Sequence, residues 1–404
     1  MFSRRGLGLV GLASSASGAG ATQTTGKLVA NRFQMATGTA TISAPFTSRR
    51  SHWAHPDGDV TGIKCFESNR YLSTISTTAG GGSHTRKKYI EYPVDVFHQV
   101  KWSAATTIAL TSSSRVTSDV VISSITGLPL VIAAGDKFWE RTVVTVGASI
   151  ACPVFITPAA CDVLGLDDGN SASDLGNSGT VPVTTGLNTL GSQGMTGTVN
   201  VAGAKSYVCL GDSLCFGQGD ITNVSALGGS GWLARALDVH GYPYMKWCIG
   251  GQQAVDQAGL ATSINADLGF TGFTNFVLQS GINDLRLGRT KAQIETNYQT
   301  LYNMSNVVGK TIQQGTVGPR STSTDSWATT ANQTPQTDGN MADLTPLNTD
   351  IRAGLANVTS IIDYADVAMS ARDSNIHKAP PAGTLDGTHL DSTRADLVAS
   401  LVSI

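Results

Sequence analysis

The sequence predicts a chain in two parts: an all-β half, sandwich or jelly-roll-like, followed by an α/β half built on a parallel sheet. Two observations carry this. Between about Lys27 and Ile156, short runs rich in Val, Thr and Ser recur with turns between them and no helical stripe, the pattern of a domain made of short strands. After Ala204 the period changes. Short apolar runs alternate with segments whose apolar residues return at helical spacing, and that alternation means a parallel sheet with helices on both faces.

Taken in order, residues 1–25 are small and polar and read as an N-terminal arm. Residues 26–200 form the β-rich part. Its clearest runs are Tyr89 to Tyr92, Val116 to Ile122, Leu128 to Ile132 and Thr142 to Val146, with Gly80-Gly81-Gly82-Ser83 as a loop. Residues 157–200, rich in Gly, Ser, Thr and Asn, read as a long connection. Residues 201–404 form the α/β part. Strands are expected at Tyr207 to Leu210, Tyr244 to Ile249, Phe276 to Ser280, Thr311 to Val317 and Thr359 to Tyr364. Helices are expected near Gly231 to His240, over Ala254 to Asp267 and Lys291 to Val308, along the stripe Leu344, Leu347, Ile351, Leu355, and near Ser392 to Val402. With this division, a fragment starting near Val199 is expected to fold by itself.

Composition narrows the class. The chain has 404 residues, 41% hydrophobic and 14% charged. That is enough apolar content for sizeable cores, and so few charges suit an extracellular or virion-associated protein. The net charge of −2 gives no reason to expect a nucleic-acid partner. No apolar run is long enough to span a membrane. Ser3-Arg4-Arg5 before a short glycine-rich apolar stretch resembles a twin-arginine export signal, but the apolar part is weak and the arm is the preferred reading. Gly6, Gly8 and Gly11 match a dinucleotide fingerprint in spacing, yet no strand precedes them, so no such cofactor is expected. The six cysteines include no Cys-x-x-Cys pair, which argues against a zinc knuckle. Cys209 and Cys248 read as buried and inert, and a Cys152–Cys161 bridge is left open.

The chemistry-bearing residues sit where the expected strands end. The first runs into Gly211-Asp212-Ser213-Leu214, the second into Gly250-Gly251, the third into Gly281-Ile282-Asn283-Asp284, and after the fifth comes Asp386-Gly387-Thr388-His389. In a parallel sheet all four sets meet at the carboxyl edge, where such folds place ligands. A serine hydroxyl is a weak nucleophile without a base. His389 is the candidate base for Ser213, and Asp386, three residues earlier, is placed to orient its imidazole. Candidate donors to a developing oxyanion are the backbone N–H groups of Ser213 and Gly251 and the side-chain amide of Asn283. Asp212, Gly250 and Asp284 are expected to support these loops. Asp391 is a fallback carboxylate for His389. His377 reads as exposed loop, and His52, His55, His84 and His98 as scattered residues without a metal role. No metal or other cofactor is expected.

These four blocks, in this order, resemble the SGNH or GDSL-type hydrolase superfamily over roughly residues 204–404. One departure is that Lys246-Trp247-Cys248 stands where members usually carry an asparagine before the glycine segment. The resemblance implies a flavodoxin-like three-layer α/β/α domain and a carboxylic ester hydrolase. Its substrates would be acylated carbohydrates, lipid esters or small esters. The polar segment from Gly318 to Asn340, with Trp327, reads as a lid that suits a sugar face. Arg320 on it could hold a carboxylated sugar, or simply lie on the surface. The expectation is therefore an esterase deacylating a polysaccharide or glycan, carried on a secreted or phage-virion protein. Its β half would dock to a cell-surface glycan or virion partner, and an oligomer is compatible with the sequence. The alternatives are a lipase-like esterase, or a structural or binding virion protein with a vestigial hydrolase domain.

Overall fold

The computed structural model of the chain describes residues 23–73, 76–79, 82–111, 114–146, 150–156, 166, 168–183, 188–220, 225–378, 383–384 and 386–404. The twin-arginine stretch, all but the last residues of the expected arm, Gly80-Gly81 and Cys161 lie outside these residues, and so does any Cys152–Cys161 bridge.

The chain is mixed α/β. Its organising element is a six-stranded parallel sheet in the order Phe33–Gln34, Tyr244–Cys248, Tyr207–Gly211, Asn275–Gln279, Thr311–Gly315, Ser360–Ile362. Counted from residue 204, the strands run 2-1-3-4-5. The order reverses at the central strand Tyr207–Gly211, and the crevice at such a reversal is where open α/β sheets bind ligands. Every residue of Tyr207–Gly211, Tyr244–Cys248 and Asn275–Gln279 is buried, as strands covered on both faces are. Each fully buried Val, Leu, Phe or Met there contributes about 1.5–3 kcal/mol over leaving it exposed.

The expected helices form with changed ends. The segment after Gly251 is two helices, Ala254–Gly259 and Ala261–Thr271, broken at Leu260. Lys291–Tyr302 is started by a reciprocal cap between Thr290 and Gln293 and stops well short of Val308. Three short helices carry too few residues to show periodicity: Ser213–Phe216, Ile282–Arg286 and Tyr364–Ala368.

The first half is all-β in its described residues. A four-stranded antiparallel sheet orders Thr24–Leu28, Gly194–Val199, Val60–Ser68 and Arg115–Thr117. A second sheet centres on His84–Glu91, Lys137–Val146 and Phe46–Trp53. A third joins Gly38–Ile42 to Ile150–Ile156. The stretch read as a connection supplies strands, Gly169–Ser171 and Gly194–Val199 among them. Leu128 to Ile132, expected as a strand, makes only single bridges. The second sheet buries charge: Lys88 bonds Glu67, Glu140 and the Ser192 hydroxyl with no exposure to solvent. Removing one member of such a group would leave a buried charge uncompensated.

The two halves share a core. The edge strand Phe33–Gln34 comes from the β half and pairs in parallel with Tyr244–Cys248, and the Met35 N–H donates to the Lys246 carbonyl at 2.8 Å. The Leu28 N–H donates to the Gly272 carbonyl at 2.9 Å. The rings of Phe66 and Phe270 stack with centroids 4.9 Å apart, and Arg115 is paired with buried Asp267. Leu28, Phe33, Met35 and Ile63 belong to one apolar cluster with Tyr207, Met245 and Phe276.

Candidate active site

Ser213 lies one residue beyond the central strand and opens the helix Ser213–Phe216, whose N-cap is the intervening Asp212. One Asp212 oxygen accepts the Leu214 N–H at 2.9 Å, which fixes the turn that presents Ser213. The Ser213 hydroxyl is 2.8 Å from Nε2 of His389, and Nδ1 of His389 is 2.6 Å from Oδ2 of Asp386. The other Asp386 oxygen accepts the backbone N–H groups of Thr388 and His389 at 2.9 and 2.8 Å. With Asp386 ionised, this arrangement places a proton on Nδ1 and leaves Nε2 to accept from the serine. Partial burial opposes ionisation of Asp386, but the bonds and charge of His389 and the backbone donors outweigh it. They hold the carboxyl well below its usual range.

These residues line an open cavity of about 270 Å³ together with Gln218, Gly251, Ile282, Asn283, Arg286, Arg320 and Thr388. Gly251 has φ +78°, a conformation that favours glycine, and its backbone borders the cavity. Its neighbour Gly250 lies against Gln218; a Cβ there would sit 2.8 Å from the Gln218 amide oxygen. Asn283 donates from Nδ2 to the Gln252 carbonyl at 3.1 Å, so the second and third loops are tied through the amide itself. Asp284 accepts the Ala254 and Val255 N–H groups at 2.7 and 3.3 Å, which closes the start of the helix Ala254–Gly259. Ser213, His389, Asp386, Gly251 and Asn283 thus share one cavity, with Asp212, Gly250 and Asp284 beside or behind it.

Several residues stand elsewhere than the sequence indicated. Asp391 caps the helix Ser392–Leu401 by accepting the Arg394 N–H at 2.8 Å, while Asp386 holds His389. His377 is buried, not exposed: its Nε2 meets the Gly387 carbonyl at 3.1 Å, and its backbone N–H donates to Gln333. Trp327 does not line the cavity. Its Nε1 donates to the Ser321 hydroxyl, and its ring packs against Gly387, where a Cβ would meet it at 2.9 Å. That same Cβ would lie 1.8 Å from the Ser321 carbonyl, and Gly387 has φ +80°. Cys248 is not a free thiol but forms a disulfide with Cys215, two residues beyond Ser213. Cys65, Cys152 and Cys209 are buried free thiols. Gln218 and Arg286 carry no sequence signal of their own; Gln218 is brought in by the turn after the helix Ser213–Phe216, and Arg286 by the end of the helix Ile282–Arg286. Among the described residues there is no cluster of His, Cys, Asp or Glu arranged to hold a metal. No described helix is long and apolar enough to cross a membrane.

No family model matches the chain, and no curated protein matches it. Solved structures of GDSL-type lipolytic proteins are similar to about half of it. A GDSL-like lipase from Bacteroides thetaiotaomicron is 16% identical over 49% of this chain and 85% of that one, with a TM-score of 0.36. A member of the lipolytic protein G-D-S-L family from Veillonella parvula is 15% identical over 48% and 94%, with a TM-score of 0.34. A Bacillus subtilis protein is 13% identical over 87% of this chain and 78% of its own, with a TM-score of 0.32.

Two buried acids beneath the cavity give a pH prediction. Burial, with the charge of Asp284 added, pushes the Asp212 carboxyl up to about 7, and burial pushes Asp284 up to about 6. One Asp212 oxygen is buried without a hydrogen-bond partner among the described residues. A carboxyl whose folded value is raised binds its proton more tightly in the folded state. Its contribution to stability is therefore present below about pH 4 and is lost as pH rises towards 7. Asp212→Asn keeps an acceptor for Leu214 and removes that ionisation. The melting temperature of the variant relative to wild type is expected to rise by several degrees between pH 5 and pH 8. A difference that stays constant across that range would remove Asp212 from the pH dependence.

Proposed function

We propose that the chain is a serine carboxylic ester hydrolase of the SGNH type. In this reading residues 201–404 are a flavodoxin-like three-layer catalytic domain and residues 26–200 a sandwich-like accessory domain. The observation that carries the proposal is the continuous hydrogen-bonded series from Ser213 through His389 to Asp386 at the edge of a cavity that Gly251 and Asn283 also line.

The reaction follows from those positions. Ser213 Oγ attacks the acyl carbonyl carbon as its proton passes to His389 Nε2. The imidazolium is stabilised by Asp386, which keeps its charge. The carbonyl oxygen, now an alkoxide, is met by the N–H groups of Ser213 and Gly251 and the Asn283 amide. The C–O bond to the alcohol breaks, the alcohol leaves with the proton from His389, and an acyl-serine remains. Water then attacks the acyl carbon with His389 as base, which releases the carboxylic acid and restores Ser213.

Ile282 is the one apolar side chain among the lining residues, so the cavity suits a short acyl group on a polar alcohol. That supports deacylation of a polysaccharide or glycan over hydrolysis of long-chain lipid esters. A secreted or virion-associated setting is supported by the low charge content and by the Cys215–Cys248 disulfide, which fits an oxidising compartment. The β half is then the part that docks to a surface glycan or virion partner.

Turnover of p-nitrophenyl acetate by the purified chain tests the proposal, with faster hydrolysis of acetyl than of long-chain esters expected. No turnover, or preference for long chains, would overturn the respective part. Asn283→Ala is expected to lower kcat by roughly a hundredfold or more, because one oxyanion donor is lost. A change confined to KM would assign Asn283 to ground-state binding instead.

A further inference from the structure

The same cavity carries two cations that the ester chemistry does not use. Arg286 ends the helix Ile282–Arg286, three residues after Asn283, so both project from one face of that helix into the cavity. Arg320 enters from the segment that precedes Ser321–Ser323. Among the described residues, the one carboxylate that contacts both is Asp338, which is about half-exposed and does not line the cavity. One of its oxygens lies 3.3 Å from Arg320 Nη1 and 4.0 Å from Arg286 Nε. Arg320 is 14% exposed, and its Nε is buried without a hydrogen-bond partner among the described residues. Asp386 is the sole acid among the lining residues, and both of its oxygens are taken by Thr388 and His389. Two guanidinium groups therefore face the cavity with one shared, solvent-screened contact, Asp338, and a weaker attraction between Arg320 and Asp386. Bringing them together costs repulsion, which a bound anion would offset. A guanidinium fork is matched in shape by a planar carboxylate.

We propose that the acylated substrate bears a carboxylate, as a uronic acid residue does, and that Arg320 and Arg286 bind it beside Ser213. This rests on the esterase reading above. The placement explains why the cations share a wall with Asn283: a carboxylate held there keeps the neighbouring acylated hydroxyl of one sugar ring within reach of the serine. The acid also distinguishes a charged polysaccharide from a neutral one, which the ester chemistry alone cannot do.

The test uses two probes that differ only at C6, carboxylate against hydroxymethyl: the methyl glycosides of mono-O-acetylated glucuronic acid and of identically acetylated glucose. Affinities are measured by NMR titration on Ser213→Ala protein, so that hydrolysis is not needed for the result. The acid is expected to bind at least tenfold more tightly at low ionic strength, with the gap narrowing as salt is added. Adding Arg320→Gln or Arg286→Gln to that protein is expected to remove most of the gap. Arg286 is half-exposed, so its variant carries the test if Arg320→Gln does not fold. Equal affinities, or a gap that survives both substitutions, would overturn the proposal. A wild-type chain that keeps the charge preference but fails to turn over p-nitrophenyl acetate would instead overturn the esterase reading and leave the anion site standing.

Discussion

Ser213→Ala protein is expected to lose at least about four orders of magnitude in kcat on p-nitrophenyl acetate while keeping its melting temperature within a few degrees of wild type. The loss is large because nucleophile and base act as one unit, so removing either forfeits nearly the whole contribution of the pair. The stability is spared because the Ser213 hydroxyl bonds only His389 Nε2 among the described residues, while the turn is held by Asp212 through the Leu214 backbone. Initial rates over a range of enzyme concentration, with a melting curve on the same sample, check both parts. Near-full turnover by the variant would move the nucleophile elsewhere.

A fragment beginning at Val199 is expected to fail to fold, the opposite of what the sequence pattern alone indicated. Cutting there removes the edge strand Phe33–Gln34 from the parallel sheet and strips Leu28, Phe33, Met35 and Ile63 from the shared apolar cluster. It also removes Arg115, the ion-pair partner of Asp267. Uncovering several fully buried side chains at about 1.5–3 kcal/mol each is comparable to the whole stability of an ordinary domain. Circular dichroism and a melting curve decide the matter. A cooperative transition near that of the full chain would show that residues 201–404 hold a sufficient core of their own.

The parallel sheet and the four blocks at its edge were legible because both depend on local pattern. Tyr207 to Leu210 is apolar throughout and stops at Gly211, and a histidine three residues after an aspartate is visible in a line of text. What was not legible depends on which segments become neighbours. Phe33–Gln34 is too short to read as a strand until Tyr244–Cys248 lies beside it. Cys215 and Cys248 pair because the short helix after one strand meets the end of the neighbouring strand. His377 and Trp327, both polar-tipped and in polar surroundings, are drawn inward by Gly387 and Ser321, which no periodicity marks. Arg286 and Arg320 lie 34 positions apart in the numbering and share a wall only once the loops fold over.

The hairpin of Ser321–Ser323 and Gln333–Pro335 does two jobs on consecutive residues. Arg320 reaches into the cavity, while the Ser321 backbone N–H donates at 2.9 Å to the carbonyl of Gly387, which lies between Asp386 and His389 in the chain. In the proposed reading, whatever alters the shape of this hairpin to suit a different sugar will also shift the loop that carries Asp386 and His389. Substrate range in such a scaffold is therefore hard to change by transplanting the loop whole. Variants selected for a new substrate should accumulate side-chain changes at positions such as 286 and 320, with the backbone at 321 and the glycine at 387 retained. A loop graft that improved binding would be expected to arrive as a slow enzyme, repaired only when the contact to Gly387 is rebuilt.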